Sequence, residues 1–127
     1  MGHKKRGTFS PKEFDALVEQ ALAELPSPYA RLARDVSVVV EEEPPADVLE
    51  DLDLESPDDL LGLYQGLSVA DDSFFHSGGQ QPPRIAIYRG PILRLCETAA
   101  EVRKEVRDTV VHELGHHVGL ADDEMPY

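Results

Sequence analysis

The sequence predicts a single α/β domain of the α+β type, with a helix near each end of the chain and three short strands between them. Ser10-Pro11-Lys12-Glu13 is a capping box with proline at the first helical position, and it precedes a run of apolar residues at helical spacing. Thr98-x-x-Glu101 is a second capping box and opens a longer helix. The length of 127 residues suits one domain with a modest core. We therefore expect a flexible N-terminus over residues 1–8 and one domain over residues 9–127.

The first half of the chain predicts a helix, a helical turn and a strand, in that order. Apolar residues recur at helical spacing over residues 14–25, after which a proline ends the run. Residues 28–33 predict a short helical turn. Residues 36–40 are nearly all valine, which predicts a short strand that is well buried. The acidic and poorly periodic segment that follows predicts a loop, with one helical turn at residues 48–51.

The second half of the chain predicts two further strands separated by a long loop. Residues 60–64 and residues 84–89 form these strands, and the last strand alternates. Residues 68–83 are rich in Ser, Asp, Gly, Gln and Pro, which predicts a loop. A loop of this length is often a lid over a site, with Phe74-Phe75 as an apolar tip, and a mobile connection whose aromatic rings cover the core is an equal alternative. Residues 92–96 predict one helical turn before the final helix.

The composition restricts the partners and the compartment of the protein. The net charge is −13 and the pI is about 4.6, so the protein as a whole repels a nucleic-acid backbone, and we expect no nucleic-acid partner. A solvated surface explains this acidity, which also weakly favours a basic segment as substrate or partner. Cys96 is the single cysteine, so we expect a core position for it, no intrachain disulfide and a reducing compartment. The sequence has no membrane-spanning run and no secretory signal, and we expect a cytoplasmic protein without membrane contact.

The most informative segment of the chain reads His-Glu-x-x-His-x-x-Gly-x-x-Asp and begins at His112. His112 and His116 are one helical turn apart, so both imidazoles can reach one metal ion from the same side. Glu113 occupies the position at which zinc peptidases keep the carboxylate that acts on the metal-bound water. Gly119 can end the helix in a left-handed conformation, so that Asp122 can supply a third, oxygen ligand. Two His and one Asp leave the fourth tetrahedral position to water, which is typical of a catalytic zinc site, and a surface helix end rich in His and acids is the alternative.

The helix that carries this motif has one broad apolar arc. The arc consists of Val102, Val106, Val110, Leu114 and Val118. At about 100° per residue, Glu113 falls on the border of the arc, and His112 and His116 lie together just beyond it. This placement suits a metal held in a cleft, near enough to the core to be rigid and open enough to admit a substrate. His117 lies inside the arc, so we expect a buried, hydrogen-bonded histidine rather than a ligand.

The sequence resembles a known family, the small bacterial zincin-like metallopeptidases, whose zinc motif is His-Glu-x-x-His-x-x-Gly-x-x-Asp. The likeness extends beyond the motif and covers roughly residues 9–125. It includes Leu25-Pro26, the strand at residues 36–42, Leu-Gly-Leu-Tyr-Gln-Gly at residues 61–66, Ile-Ala-Ile-Tyr-Arg at residues 85–89, and Thr109-Val110-Val111. The resemblance implies a minimal zincin fold, which is a small mixed sheet packed on helices with the C-terminal active-site helix running along it.

The resemblance also implies a zinc metalloendopeptidase that acts on peptide or protein substrates. The family's metal ligands fall on His112, His116 and Asp122. Its catalytic carboxylate falls on Glu113, which would take a proton from the zinc-bound water as this water attacks a peptide carbonyl. Tyr64 and Tyr88 are candidates for an additional donor to the developing oxyanion, although packing in the core or on the surface is the simpler role for either.

Two other functions are compatible with the motif. One is a metal-stabilised interaction module with little or no catalysis, because most zincins have a C-terminal subdomain that forms the lower wall of the cleft and only five residues follow Asp122 here. We therefore expect a shallow cleft or a partner protein that completes it. The other is an RNA-processing metallohydrolase, since a bacterial ribosomal-RNA maturation family places three histidines at the spacing of His112, His116 and Asp122. That family lacks a Glu after its first His, so Glu113 and the net charge of −13 argue against it.

Overall fold

The structure is a computed structural model, and it describes residues 9–66 and 82–118. These residues form helices α1 (Pro11–Ala23), α2 (Tyr29–Leu32), α3 (Ala46–Asp51), α4 (Arg89–Leu95) and α5 (Ala99–His117), and strands β1 (Ser37–Glu41), β2 (Gly62–Gln65) and β3 (Arg84–Tyr88). Short 3-10 turns cover Ala33–Asp35 and Pro57–Asp59. The predicted α+β class is confirmed, and each predicted helix and strand is present. The expectations for the N-terminus and for the lid with its Phe74-Phe75 tip lie outside the described residues.

Both predicted capping boxes are present and define where the two long helices begin. At the start of α1, the Ser10 hydroxyl accepts a 3.0 Å hydrogen bond from the Glu13 N–H, and the Glu13 carboxylate accepts one of 2.8 Å from the Ser10 N–H. At the start of α5, the Thr98 hydroxyl accepts a 3.1 Å bond from the Glu101 N–H, and the reciprocal bond is also formed. Because the capping box begins α5 at Ala99, His112, Glu113 and His116 of the motif lie in the last turns of a helix of 19 residues.

The three strands form a mixed sheet with the order β1-β3-β2. Strand β3 pairs with β1 in parallel, with Val38 opposite Ile85, and with β2 in antiparallel, with Tyr64 opposite Ile85. The small mixed sheet that the family resemblance implies is therefore confirmed. As the central strand, β3 is buried on both faces, and residues 85–88 are all fully buried.

The prediction of a well-buried first strand is wrong. Within the described residues β1 pairs with β3 alone, so it lies at one edge of the sheet. Ser37 is exposed, and the three valines that follow it are only half-buried. A β-branched run predicts that a segment is a strand, but burial depends on how many neighbours the strand has.

The hydrophobic core joins α1, α4 and α5 to one face of the sheet. Its fully buried side chains are Phe14, Ile85, Ile87, Ile92, Val102, Val106, Val110, Val111 and Leu114. Most of the predicted apolar arc of α5 is thus buried, and so is Cys96, which is 2% exposed. In the described part of the chain, no helix combines the length and the apolar character needed to cross a membrane.

Arg94 of α4 fixes the acidic segment between β1 and β2. Its guanidinium donates hydrogen bonds of 2.8 and 2.9 Å to the Glu43 carboxylate and a further one to Asp58. These hydrogen bonds from Arg94 hold the pKa of Glu43 below its usual value. The contact with Asp58 holds the 3-10 turn Pro57–Asp59, which the sequence pattern did not predict, against α4. Asp59 at the end of this turn is therefore held in place as well.

Helix α5 packs on β2 at Gly62, where the missing side chain permits a very close approach. A Cβ atom at this position would lie 2.5 Å from Cγ2 of Thr109 and 2.9 Å from the carbonyl oxygen of Ala86. Such distances lie far inside van der Waals contact, so a larger residue would push the helix away from the strand.

We expect Gly62→Ala to lower the free energy of unfolding by about 1–3 kcal/mol, the usual cost of overpacking. Urea denaturation with an unchanged m-value measures this loss. The double variant Gly62→Ala/Thr109→Ser lacks the clashing methyl group of Thr109. Compared with Thr109→Ser alone, it should recover part of the stability that Gly62→Ala loses. Wild-type stability in Gly62→Ala would contradict the close packing of α5 on β2.

Candidate metal centre

Three successive turns of α5 face β2, and each is held to the strand by a different contact. Thr109 packs on Gly62. One turn later, Glu113 accepts a 2.7 Å hydrogen bond from the backbone N–H of Tyr64. One further turn on, Nδ1 of His117 lies 3.0 Å from the Tyr64 hydroxyl oxygen. Residues four apart share one side of a helix, so these contacts fix both the rotation and the position of α5 along the strand.

The backbone N–H of Tyr64 reaches Glu113 because β2 lies at the edge of the sheet. The Tyr88 N–H donates a 2.9 Å hydrogen bond to the Leu61 carbonyl, so the odd-numbered residues of β2 carry the bonds to β3. The backbone groups of Tyr64 consequently point to the opposite edge. Glu113 is only 9% exposed, and a buried carboxylate needs such a donor.

His112 and His116 occupy the neighbouring side of α5, toward the solvent. Both are half-buried, and their rings meet edge to face with centroids 5.0 Å apart. The candidate ligand atoms of His112, Glu113 and His116 all lie within 4.8 Å of one another. The structure thus brings together three of the four residues that the motif predicts, with the imidazoles accessible and the carboxylate buried.

A cleft of about 370 Å³ opens beside His112 and Glu113. Its other walls come from the end of the acidic segment, from β2 and from α5. They comprise Asp59, Leu60, Leu61, Gly62, Asp108 and Thr109. Three carboxylates line the cleft, and its described lining contains neither Lys nor Arg. Asp108 already pairs with Lys104 at 2.8 Å and Arg107 at 3.6 Å, so the cleft places an acidic lining, chiefly Asp59, beside His112.

The donor set at this site fits zinc. Zinc in proteins prefers imidazole nitrogen and carboxylate oxygen ligands at about 2.0–2.2 Å, which puts two ligand atoms of a tetrahedral site roughly 3.4 Å apart. Ligand atoms within 4.8 Å of one another are compatible with that spacing after small side-chain rotations. Since Glu113 is already bonded to Tyr64, the two imidazoles are the better first ligands.

The chain matches the sequence profile of the zincin-like metallopeptidases over residues 33–127. It belongs to the zincin-like metallopeptidase family. Its structure is similar to that of a conserved hypothetical protein from Thermus thermophilus, with 27% sequence identity and a TM-score of 0.57. This similarity covers 86% of the present chain and 94% of the other. No curated protein matches the sequence.

Of the remaining predictions for this site, the one for His117 is confirmed and the one for the third ligand is untested. His117 is 5% exposed and contacts the Tyr64 hydroxyl, so the prediction of a buried, hydrogen-bonded histidine is confirmed. Gly119 and Asp122 lie outside the described residues, and the third ligand stays a prediction.

The two candidate oxyanion donors also differ from each other. The Tyr64 hydroxyl contacts His117, and burial raises its pKa. Tyr88 is fully buried. Its pKa is raised mainly by this burial and, to a smaller extent, by the negative charge of Glu41. Tyr88 is thus a core residue, whereas Tyr64 connects β2 to α5.

Sequence reasoning missed two residues of this zincin-like site, Asp59 and Asp108. Asp108 is one helical turn before His112, so helical spacing alone could have placed it beside the motif. Asp59 is the last residue of the 3-10 turn that Arg94 contacts through Asp58, and no local sequence pattern brings it to the cleft.

Proposed function

We propose that this protein is a zinc-dependent endopeptidase whose site is formed by His112, Glu113, His116 and Asp122. The observation that carries the proposal is the position of Glu113. Its carboxylate is buried, bonded to the backbone of β2, close to both histidines and part of the cleft lining. A general base must be held within reach of a substrate, and this arrangement supplies both the base and the room for a peptide.

His112 and His116 would hold the zinc ion from α5, and Asp122 would be the third ligand. Zinc, when bound, supplies Lewis-acid chemistry and a water nucleophile that is reactive near neutral pH. The packing of α5 on β2 at Gly62 limits movement of the helix, so the two imidazoles keep a fixed relation to the cleft.

Glu113 would take the proton from the attacking water and pass it to the leaving amine of the peptide. The hydrogen bond from the Tyr64 N–H orients the carboxylate, so that less side-chain freedom is lost when the substrate binds. The same edge of β2 lies beside the cleft, so an extended substrate would approach Glu113 along the strand.

We also propose that the substrate carries a basic side chain next to the cleaved bond. Asp59 is exposed, Asp108 also lines the cleft, and the net charge of −13 adds to the attraction. Lys104 donates a 2.8 Å hydrogen bond to Asp108, and Arg107 lies 3.6 Å from it, so these two cations offset its charge. Asp59 is therefore the better candidate for contact with the substrate.

Digestion of a peptide library by the zinc-loaded protein, read by mass spectrometry, tests both statements. We expect discrete cleavage sites with Lys or Arg enriched beside them, and Asp59→Asn should reduce this enrichment by about 2–5-fold, the effect of one exposed charge pair. Asp47→Asn on α3 is the matched control and should leave the preference unchanged. Cleavage without enrichment of Lys or Arg would refute the proposed role of Asp59 but leave the peptidase activity in place. The absence of any cleavage would refute the peptidase activity itself.

We also propose that the protein is cytoplasmic. The support is its single cysteine, Cys96, which is buried in the core and suits a reducing compartment.

A further inference from the structure

The outer edge of β1, on the side of the sheet opposite to the metal centre, presents backbone groups that bond to no strand among the described residues. The Ser37 N–H donates a hydrogen bond to the Pro83 carbonyl, on the side of β3. In a parallel pair, alternate residues bond to the partner strand, so the N–H and C=O groups of Val38 and Val40 point away from β3. In the described ranges no strand pairs with this edge. An edge with three consecutive half-buried valines is a template for another strand.

A groove of about 520 Å³ runs between this edge and helix α1. Its apolar floor combines side chains of the helix and of the strand. These are Val18, Leu22, Val38 and Val40. A helix beside the free edge of a strand is a geometry in which proteins bind extended peptides, because the edge supplies main-chain hydrogen bonds and the floor accepts side chains.

The rim of the groove is acidic. Asp15 and Glu19 are exposed on α1, and Glu42 lies at the end of β1 with its side chain 65% exposed. Arg89 is the one cation in the described lining, and its guanidinium already donates to Glu42 at 2.7 Å and to the Phe9 carbonyl at 2.8 Å. The groove therefore carries excess negative charge, which a basic ligand would complement.

We propose that this groove binds an extended, basic segment of another protein, which adds as a strand to the outer edge of β1. Apolar side chains of the segment would cover the valine floor, and Lys or Arg on the same face would reach Asp15 and Glu19. Strand β3 separates β1 from β2, so the groove lies about 10 Å across the sheet from the edge of β2 that bonds to Glu113. The proposal is thus independent of zinc binding and of hydrolysis.

Fluorescence anisotropy with the full chain and a labelled Lys-Thr-Val-Thr-Val-Thr-Lys peptide tests the proposal. In this probe the lysines and valines share one face of the extended strand. We expect saturable binding to the wild type, and at least about tenfold weaker binding to Asp15→Lys/Glu19→Lys, since each removed ion pair is replaced by repulsion. Asp47→Lys/Glu50→Lys, on exposed positions of α3 outside the groove, makes the same change in net charge and should retain the wild-type affinity.

Val38→Pro tests strand addition itself. It removes an N–H that points outward and spares the bonds from β1 to β3, so the thermal unfolding curve serves as the folding control. We expect it to weaken the binding of the peptide at least about tenfold, because a main-chain hydrogen bond and its register are lost. If Val38→Pro is too unstable to assay, the comparison of Asp15→Lys/Glu19→Lys with Asp47→Lys/Glu50→Lys decides whether the peptide binds in this groove.

Three outcomes would overturn the proposal. Equal losses in Asp15→Lys/Glu19→Lys and Asp47→Lys/Glu50→Lys would mean general electrostatic attraction. Self-association of the wild type that Asp15→Lys/Glu19→Lys abolishes, measured by light scattering, would make a second copy of the chain the occupant. Much tighter peptide binding after deletion of residues 1–8 would make the chain's own basic N-terminus the occupant.

Discussion

Glu113→Gln should lower kcat/KM for peptide hydrolysis by about 10²–10⁴-fold, which is the usual contribution of general acid–base catalysis. Glutamine has nearly the same shape as glutamate, and its side-chain oxygen can still accept the hydrogen bond from the Tyr64 N–H. The variant therefore loses the proton acceptor and keeps the packing of α5 on β2. Zinc affinity should change little, because His112, His116 and Asp122 remain.

The control for this variant is Glu105→Gln on the same helix. Glu105 lies outside the cleft lining, so its loss of charge should leave kcat/KM at the wild-type value. Initial rates on a fluorogenic peptide, with zinc content measured on the same samples, distinguish a lost base from a lost metal. A Glu113→Gln protein that hydrolyses at the wild-type rate would exclude Glu113 as the general base.

His116→Ala should weaken zinc binding by more than about 100-fold. Loss of a residue that only supports a ligand costs 10–100-fold in metal affinity, and removal of a ligand should cost more. Because bound zinc stabilises the folded state by mass action, added zinc should raise the melting temperature of the wild type much more than that of the variant. Hydrolysis should be lost with the metal.

His117→Asn is the matched control for His116→Ala. His117 is the adjacent residue of the same type, but its ring contacts the Tyr64 hydroxyl inside the protein. Asparagine can keep a hydrogen bond near the position of Nδ1, so this variant should be destabilised and still bind zinc. Wild-type zinc affinity in His116→Ala, measured by competition with a chromophoric chelator, would remove His116 from the ligand set.

The helical parts of the site could be predicted because their signals are local. The Thr98–Glu101 capping box marks where α5 begins, and the spacing of His112 and His116 places both on one side of it. The periodicity of the valines also distinguished the buried His117 from the half-buried His112 and His116. These inferences need only the geometry of one helix.

The contacts between elements could not be predicted in the same way. Nothing in the sequence near Glu113 indicates that its carboxylate accepts a hydrogen bond from Tyr64, because that bond depends on the register of β2 against β3. The half-buried valines of β1 show the same limit, since a strand pattern does not specify the number of neighbouring strands. Arg94 likewise holds Glu43 across a long stretch of chain, and only the fold brings them together.

The most direct test of the zinc peptidase is a titration of zinc into the metal-free protein while hydrolysis of a basic fluorogenic peptide is followed. We expect no hydrolysis without metal, a rate that rises in proportion to bound zinc, and saturation at a single zinc ion per chain. Full zinc occupancy without hydrolysis of this peptide or of any peptide in the library would contradict the account and favour a metal-stabilised interaction module. Hydrolysis that continues in the metal-free protein would contradict it as well.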